Sequence, residues 1–166
     1  MSNYKDTYNA ILENYYNPKP EPDDVVVPDG SNVLIVEDKE SEQLRAKEAV
    51  LKEGYVPFVV RSFLQARSAL KQKSFKAVLS DLNYPHTVRE MKAPMEELSK
   101  PQPFGITLVF EIEEKSNVAI VTDQFHHGPA QWASTICVNL KVRLFDEVKD
   151  GGKQWKEALR YIVGKS

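Results

Sequence analysis

Val33-Leu34-Ile35-Val36-Glu37-Asp38 runs an unbroken apolar stretch straight into two adjacent carboxylates. Ala77-Val78-Leu79-Ser80-Asp81 and Val118-Ala119-Ile120-Val121-Thr122 repeat the pattern, each ending a β-like run in acid or hydroxyl chemistry. Strands buried on both faces of a parallel sheet read as continuous apolar runs rather than as alternation. A helix-like stretch separates each of these from the next. Parallel strands connected in this way place their carboxyl ends along one edge of the sheet. Asp38, Asp81 and Thr122, distant in sequence, are therefore expected side by side.

Working outward, residues 33–37 read as a strand and residues 40–53 as a helix carrying Leu44, Ala46, Val50 and Leu51, stopped by Gly54. A second strand is expected over 56–60, a second helix over 62–72 and a third strand over 77–80. A third helix follows at 106–114, a fourth strand at 118–122 and a fourth helix at 129–135. Strand five falls somewhere in 136–148. The last helix, around 153–163, carries Trp155, Ala158, Leu159, Ile162 and Val163 at helical spacing. Five such β/α units specify an α/β, doubly wound, five-stranded parallel sheet of flavodoxin-like type, in the order 2-1-3-4-5.

Ahead of this body lies an arm. Tyr4, Tyr8, Ile11, Leu12, Tyr15 and Tyr16 recur at helical spacing over residues 3–16. The stripe suits packing on the chain's own domain, on a partner, or on a second copy in a homodimer. Pro18, Pro20, Pro22 and Pro28, with Asp23, Asp24, Asp29 and Gly30, then make an extended linker that excludes helix. The expected division is an arm and linker over 1–30 and the folded domain over 31–166.

Composition narrows the function. The 166-residue chain is 42% apolar with a formal charge of −2, ordinary for a globular domain with a substantial core. Lys and Arg are interspersed with acids, so no basic face for nucleic acid is expected. The single cysteine, Cys137, sits in an apolar run and reads as core filler, in agreement with a reducing cytoplasm. No stretch approaches the roughly 20 apolar residues needed to span a bilayer, and the N-terminus lacks the form of a secretory signal. The expectation is a cytoplasmic protein with no membrane or nucleic-acid partner.

Bringing Glu37, Asp38 and Asp81 together puts like charges at short range, which raises carboxyl pKa values unless a cation sits among them. Mg2+ suits such a site, being hard and held by one or two carboxylates together with water and phosphate oxygens.

Glu37-Asp38 after the first strand, Asp81-Leu82-Asn83-Tyr84-Pro85 after the third and Thr122 after the fourth resemble the signature of response-regulator receiver domains, the CheY-like fold. The resemblance spans about residues 32–164. It implies that Asp38 and Asp81 bind Mg2+ directly, that Glu37 does so directly or through water, and that Asn83 contributes its main-chain carbonyl. It further implies that Asp81 takes a phosphoryl group from the phosphohistidine of a sensor histidine kinase or phosphotransfer protein, giving an acyl phosphate. Receivers also carry residues for their own dephosphorylation. Thr122 would hydrogen-bond a phosphoryl oxygen and couple that contact to an aromatic residue of strand five. Phe145 is the best match for the aromatic, or else an ordinary core residue.

Three features depart from the family pattern. Receivers carry Lys-Pro at the end of strand five, and Val142 to Lys149 offers none; Lys149 is the expected substitute, with Lys141 and Lys153 as alternatives. Asp123 follows Thr122, where the family has a small residue. Between Pro85 and Ile106 the chain is far longer than the ~2–6 residues usual for a β/α loop. That segment holds Pro94, Pro101 and Pro103, a candidate short helix at Met95-Glu96-Glu97-Leu98, and Arg89, Lys92 and Lys100 as sources of positive charge. It reads either as a surface insertion or as a lid or docking element.

Other chemistries lack their parts. His126-His127 has no companion ligands at zinc spacing, and no Gly-rich phosphate loop, Gly-x-Ser-x-Gly elbow or Cys-x-x-Cys pair occurs. Two functions fit. One is a single-domain phosphoryl-accepting receiver of a two-component phosphorelay, with output through contacts to a downstream protein. The other is a degenerate receiver that serves as a phosphorylation-independent interaction module.

Overall fold

A computed structural model describes residues 5–7, 9, 19–89, 103–123 and 128–164, the side chains of 128–132 excepted. Its central sheet is five-stranded and parallel, in the order β2-β1-β3-β4-β5. The strands are β1 (Val33–Val36), β2 (Pro57–Val60), β3 (Ala77–Ser80), β4 (Val118–Val121) and β5 (Arg143–Phe145). The helices are α1 (Glu40–Lys52), α2 (Phe63–Gln72), α3 (Phe104–Glu111), α4 (Gly128–Leu140) and α5 (Trp155–Val163). This is the doubly wound flavodoxin-like order expected from the apolar runs.

The continuous apolar runs divide between two cores because successive strand side chains point to opposite faces. Leu34, Val36, Val78, Val118 and Ile120 pack with Phe63, Leu64, Leu108 and Val109 of α2 and α3. Val33, Ile35, Leu79, Ala119 and Val121 pack with Ala46 and Val50 of α1 and with Trp155, Ala158, Leu159 and Ile162 of α5. Cys137 is buried in the first core, where burial pushes its thiol up to about 11. Filler is what it is there.

The register sets the functional edge. Val36 pairs with Ser80, and Ser80 with Ile120. Carrying the ladders forward places Glu37 and Asp38 beside Asp81, with Thr122 next along. Asp81 N donates to Val36 O at 2.9 Å and Thr122 N to Phe145 O at 2.8 Å.

Several boundaries differ from the expected ones. α3 starts at Phe104 rather than 106 and stops at Glu111, and α4 runs to Leu140 rather than 135. α5 begins at Trp155, because residues before it form a hairpin of β6 (Val148–Lys149) and β7 (Gly152–Lys153). Asp150 and Gly151 have φ of 53° and 81°. Two consecutive left-handed residues make the two-residue turn whose twist matches a hairpin.

The proline-rich linker is not free chain. A short 3-10 turn at Pro22–Asp24 buries Asp24, whose Oδ1 accepts from Val88 N at 3.1 Å and Oδ2 from Glu21 N at 2.9 Å. Gln65 Nε2 donates to Asp23 O at 2.9 Å and Val26 N to Ser68 Oγ at 3.2 Å, strapping the segment along α2. Residues 5–7 and 9 are helical; the residues of the tyrosine stripe, residues 90–102 and His126-His127 lie outside the described residues. Among the described residues no helix is long and apolar enough to cross a membrane.

Candidate functional site

β1 delivers Glu37 and Asp38, β3 delivers Asp81, and one ligand oxygen from each lies within 4.8 Å of the others. Glu37 is fully buried and Asp81 nearly so, while Asp38 is half-buried at the rim. Among the described residues this is the one cluster of acids so placed.

A cation sits among them, and it is Lys153. Its Nζ lies 2.5 Å from Glu37 Oε2 and 3.1 Å from Asp81 Oδ2, with the side chain 3% exposed. Lys149, the expected substitute, is exposed on β6, and Lys141 is exposed in a left-handed conformation just past α4. Arg89 is also exposed, pairing with Glu21 at 3.1 Å. The β6-β7 hairpin explains the difference. It extends the chain between β5 and α5 so that the inward-facing lysine comes after the turn, on β7. The local signal for it was Asp150-Gly151, a dipeptide typical of such turns.

Each acid is further fixed by main-chain donors. Glu37 Oε1 accepts from Lys39 N at 2.9 Å, and Asp81 Oδ1 from Leu82 N at 2.7 Å. Gln43 Nε2 donates to Glu37 O at 2.7 Å, tying the first turn of α1 to the end of β1. Burial, and then the charge of Asp81, raise the Glu37 carboxyl to about 8 despite the opposing pull of Lys153. Burial raises Asp81 to about 6, again against Lys153. Burial opposes charge on Lys153 too, but Asp81 and Glu37 outweigh it and hold the ammonium above its ordinary value. One ammonium thus stabilises two carboxylates incompletely. A second cation of oxygen-seeking character fits the cluster, and Glu37, Asp38 and Asp81 are the donors Mg2+ takes.

The loop after β3 is anchored from below and beside. Ser80 Oγ donates to Asp81 O at 2.8 Å and lies 3.1 Å from the buried Tyr84 hydroxyl, whose own ionisation burial pushes up. Phe63 N and Leu64 N, first-turn donors of α2 with no partner within the helix, donate to Pro85 O and His86 O at 3.0 Å each. The His86 ring stacks on Phe104, with centroids 4.7 Å apart. Gly105 N donates to Leu82 O at 3.0 Å, and a Cβ at Gly105 would stand 2.4 Å from Asp81 O. These contacts fix the described start of the β3-α3 connection, residues 81–86, against α2 and α3. Asn83 lies half-buried within it.

Thr122 is buried at the end of β4, and Asp123 after it is exposed. Phe145 is buried in the α1/α5 core, edge-on to Tyr161 with centroids 5.9 Å apart. The Arg143 guanidinium lies over both rings, at 5.5 and 5.4 Å.

A parallel 2-1-3-4-5 sheet with an acidic cluster at the carboxyl ends of β1 and β3 is the architecture of receiver domains. The fold is similar to a CheY-like response-regulator receiver domain from Methylobacillus flagellatus, at 21% identity over 81% of this chain and 97% of that one, with a TM-score of 0.53. It is similar also to a response-regulator receiver protein from Pseudomonas putida, at 14% identity over 86% and 100% of the two chains, TM-score 0.54. The non-phosphorylated HemR receiver domain from Leptospira biflexa matches at 17% identity over 81% and 92%, TM-score 0.55. No family model matches the chain and no curated protein matches its sequence. The chain has the CheY-like receiver fold.

Proposed function

We infer that this chain is a phosphoryl-accepting receiver in two-component signalling, with Asp81 as acceptor. The observation that carries the reading is Lys153, whose ammonium is buried against both Glu37 and Asp81 although the sequence has no Lys-Pro. A phosphorylation-independent interaction module has no need of a cation placed there. In the reaction, the Asp81 carboxylate attacks phosphorus, a P–O bond forms, the P–N bond of the donor phosphohistidine breaks, and the imidazole leaves with a proton. Lys153 transfers its pairing to the phosphoryl oxygens as charge moves onto them. Glu37, Asp38 and Asp81, with the Asn83 carbonyl, would hold Mg2+, which would offset the charge of the transferred group.

Output requires that the occupied site change a surface. Thr122 leads from the site to Phe145 through its backbone hydrogen bond, and Phe145 leads to Tyr161 and Arg143 at the outer edge of β5 and α5. A downstream protein or a second copy would read that edge, and a sensor histidine kinase or phosphotransfer protein would supply the phosphoryl group.

The test is an amide NMR comparison with Mg2+ alone and with Mg2+ plus beryllofluoride, a phosphoryl mimic. Beryllofluoride is expected to shift resonances of Thr122, Phe145 and Tyr161 in the wild type and to leave Asp81→Asn unchanged. Shifts confined to residues 37, 38 and 81 would favour the interaction module.

A further inference from the structure

The cation of the site is delivered by an element whose attachment runs through a residue outside the acidic cluster. Glu42, in the first turn of α1, is buried at 6% exposure. Its Oε2 accepts from Trp155 Nε1 at 2.8 Å and from Lys153 N at 3.4 Å. One carboxylate oxygen thus grips the main chain of Lys153 and the side chain two residues on, at the start of α5. Arg45, three residues further along α1, lies with Nε 3.9 Å from the same oxygen. Its Nη2 donates to Lys149 O at 3.4 Å and Asp150 O at 3.2 Å on the hairpin. Gly152 leaves room for this contact, since a Cβ there would stand 1.9 Å from Arg45 Nε.

A lysine side chain has four rotatable bonds and a compact, strongly hydrated head. Burying that head against two carboxylates requires its backbone to be fixed. Lys153 has no such support from the five-stranded sheet, because it belongs to a separate two-stranded hairpin. We propose that Glu42 is a positioning residue that sets Lys153 into the acidic pocket, by holding Lys153 N and the Trp155 indole to α1. The inference rests on the reading of Lys153 as the cation of the phosphoryl site.

The test is lysine reductive methylation of the full chain, mapped by peptide mass, beside phosphoryl uptake from a small phosphodonor with Mg2+. Lys153 is expected to label slowly in the wild type, and severalfold faster in Glu42→Ala, while exposed Lys52 and Lys156 keep their rates. Glu42→Gln, which retains an acceptor oxygen, is expected to keep Lys153 protected. Val50→Ala, a buried truncation on the same helix, controls for lost stability and should leave Lys153 slow. Trp155→Phe removes the indole donor together with part of a buried ring, a packing loss for which Val50→Ala controls, and serves if Glu42→Ala does not fold; it too should speed Lys153 labelling. In the second arm, Glu42→Ala is expected to slow phosphoryl uptake, and to add nothing further in a Lys153→Met background, since residues acting through one another are not additive. Unchanged Lys153 labelling in Glu42→Ala, or an equal rise in Val50→Ala, would overturn the proposal. A wild type that takes up no phosphoryl group would instead overturn the acceptor reading, with the labelling still deciding the role of Glu42.

Discussion

At the scale of the residue, the site is a buried group of acids with too little positive charge. Glu37 is raised from 4.5 to about 8, mainly by burial, and Asp81 from 3.8 to about 6 for the same first reason. Between those limits the folded state holds protons that the unfolded state has released, so stability falls as pH rises. Metal-free protein should therefore lose stability progressively from about pH 4 to about pH 8. Lys153 does not disturb the window, because a raised lysine keeps its contribution below its ordinary value of 10.5. Mg2+ held by the deprotonated acids, as proposed, should flatten the slope. Urea unfolding across this range, with and without Mg2+, checks both statements; a flat metal-free profile would mean that the acids are not coupled as described. Glu37, Asp38 and Asp81 were legible as a cluster because they end buried runs of one parallel sheet. Lys153 was not singled out, since its place depends on a turn and a tertiary grip rather than on strand five.

At the scale of the element, the strands were the most legible parts and the connections the least. A run such as Val33 to Val36 is buried on both faces, and no helix pattern competes with it over so short a span. The hairpin strands are two residues each, too short to show alternation, so β7 was absorbed into the start of the following helix. The prolines of the linker pointed to extended chain, whereas Pro22–Asp24 forms a 3-10 turn, and the docking of Asp24 onto Val88 N is a long-range contact with no local signature. Gly105 shows how an element positions the site. α3 approaches the loop after β3 so closely that a methyl group would meet Asp81 O and the Leu82 main chain. Gly105→Ala should cost about 1–3 kcal/mol by overpacking, measured by denaturant unfolding, and should slow phosphoryl uptake by displacing the loop. A neutral Gly105→Ala would mean that α3 has room to shift.

At the scale of the whole molecule, two cores on opposite faces hold a sheet whose carboxyl edge carries the acidic cluster, and two attachments brace that edge. The strap over α2 secures the loop after β3 through Asp24, and the grip of α1 on the hairpin secures Lys153. Asp24→Ala leaves Val88 N and Glu21 N without their acceptor and should cost roughly 1–3 kcal/mol, again read by denaturant unfolding, with no effect if the strap is only draped on the surface. The fold is shared with receiver domains; here a hairpin places the buried lysine, without Lys-Pro. The central claim is that this arrangement accepts a phosphoryl group on Asp81. Intact-mass measurement after incubation with a small phosphodonor and Mg2+ tests it most directly. The wild type should gain the mass of one phosphoryl group, and Asp81→Asn should gain none; an unmodified wild type, or an adduct that persists in Asp81→Asn, would contradict the account.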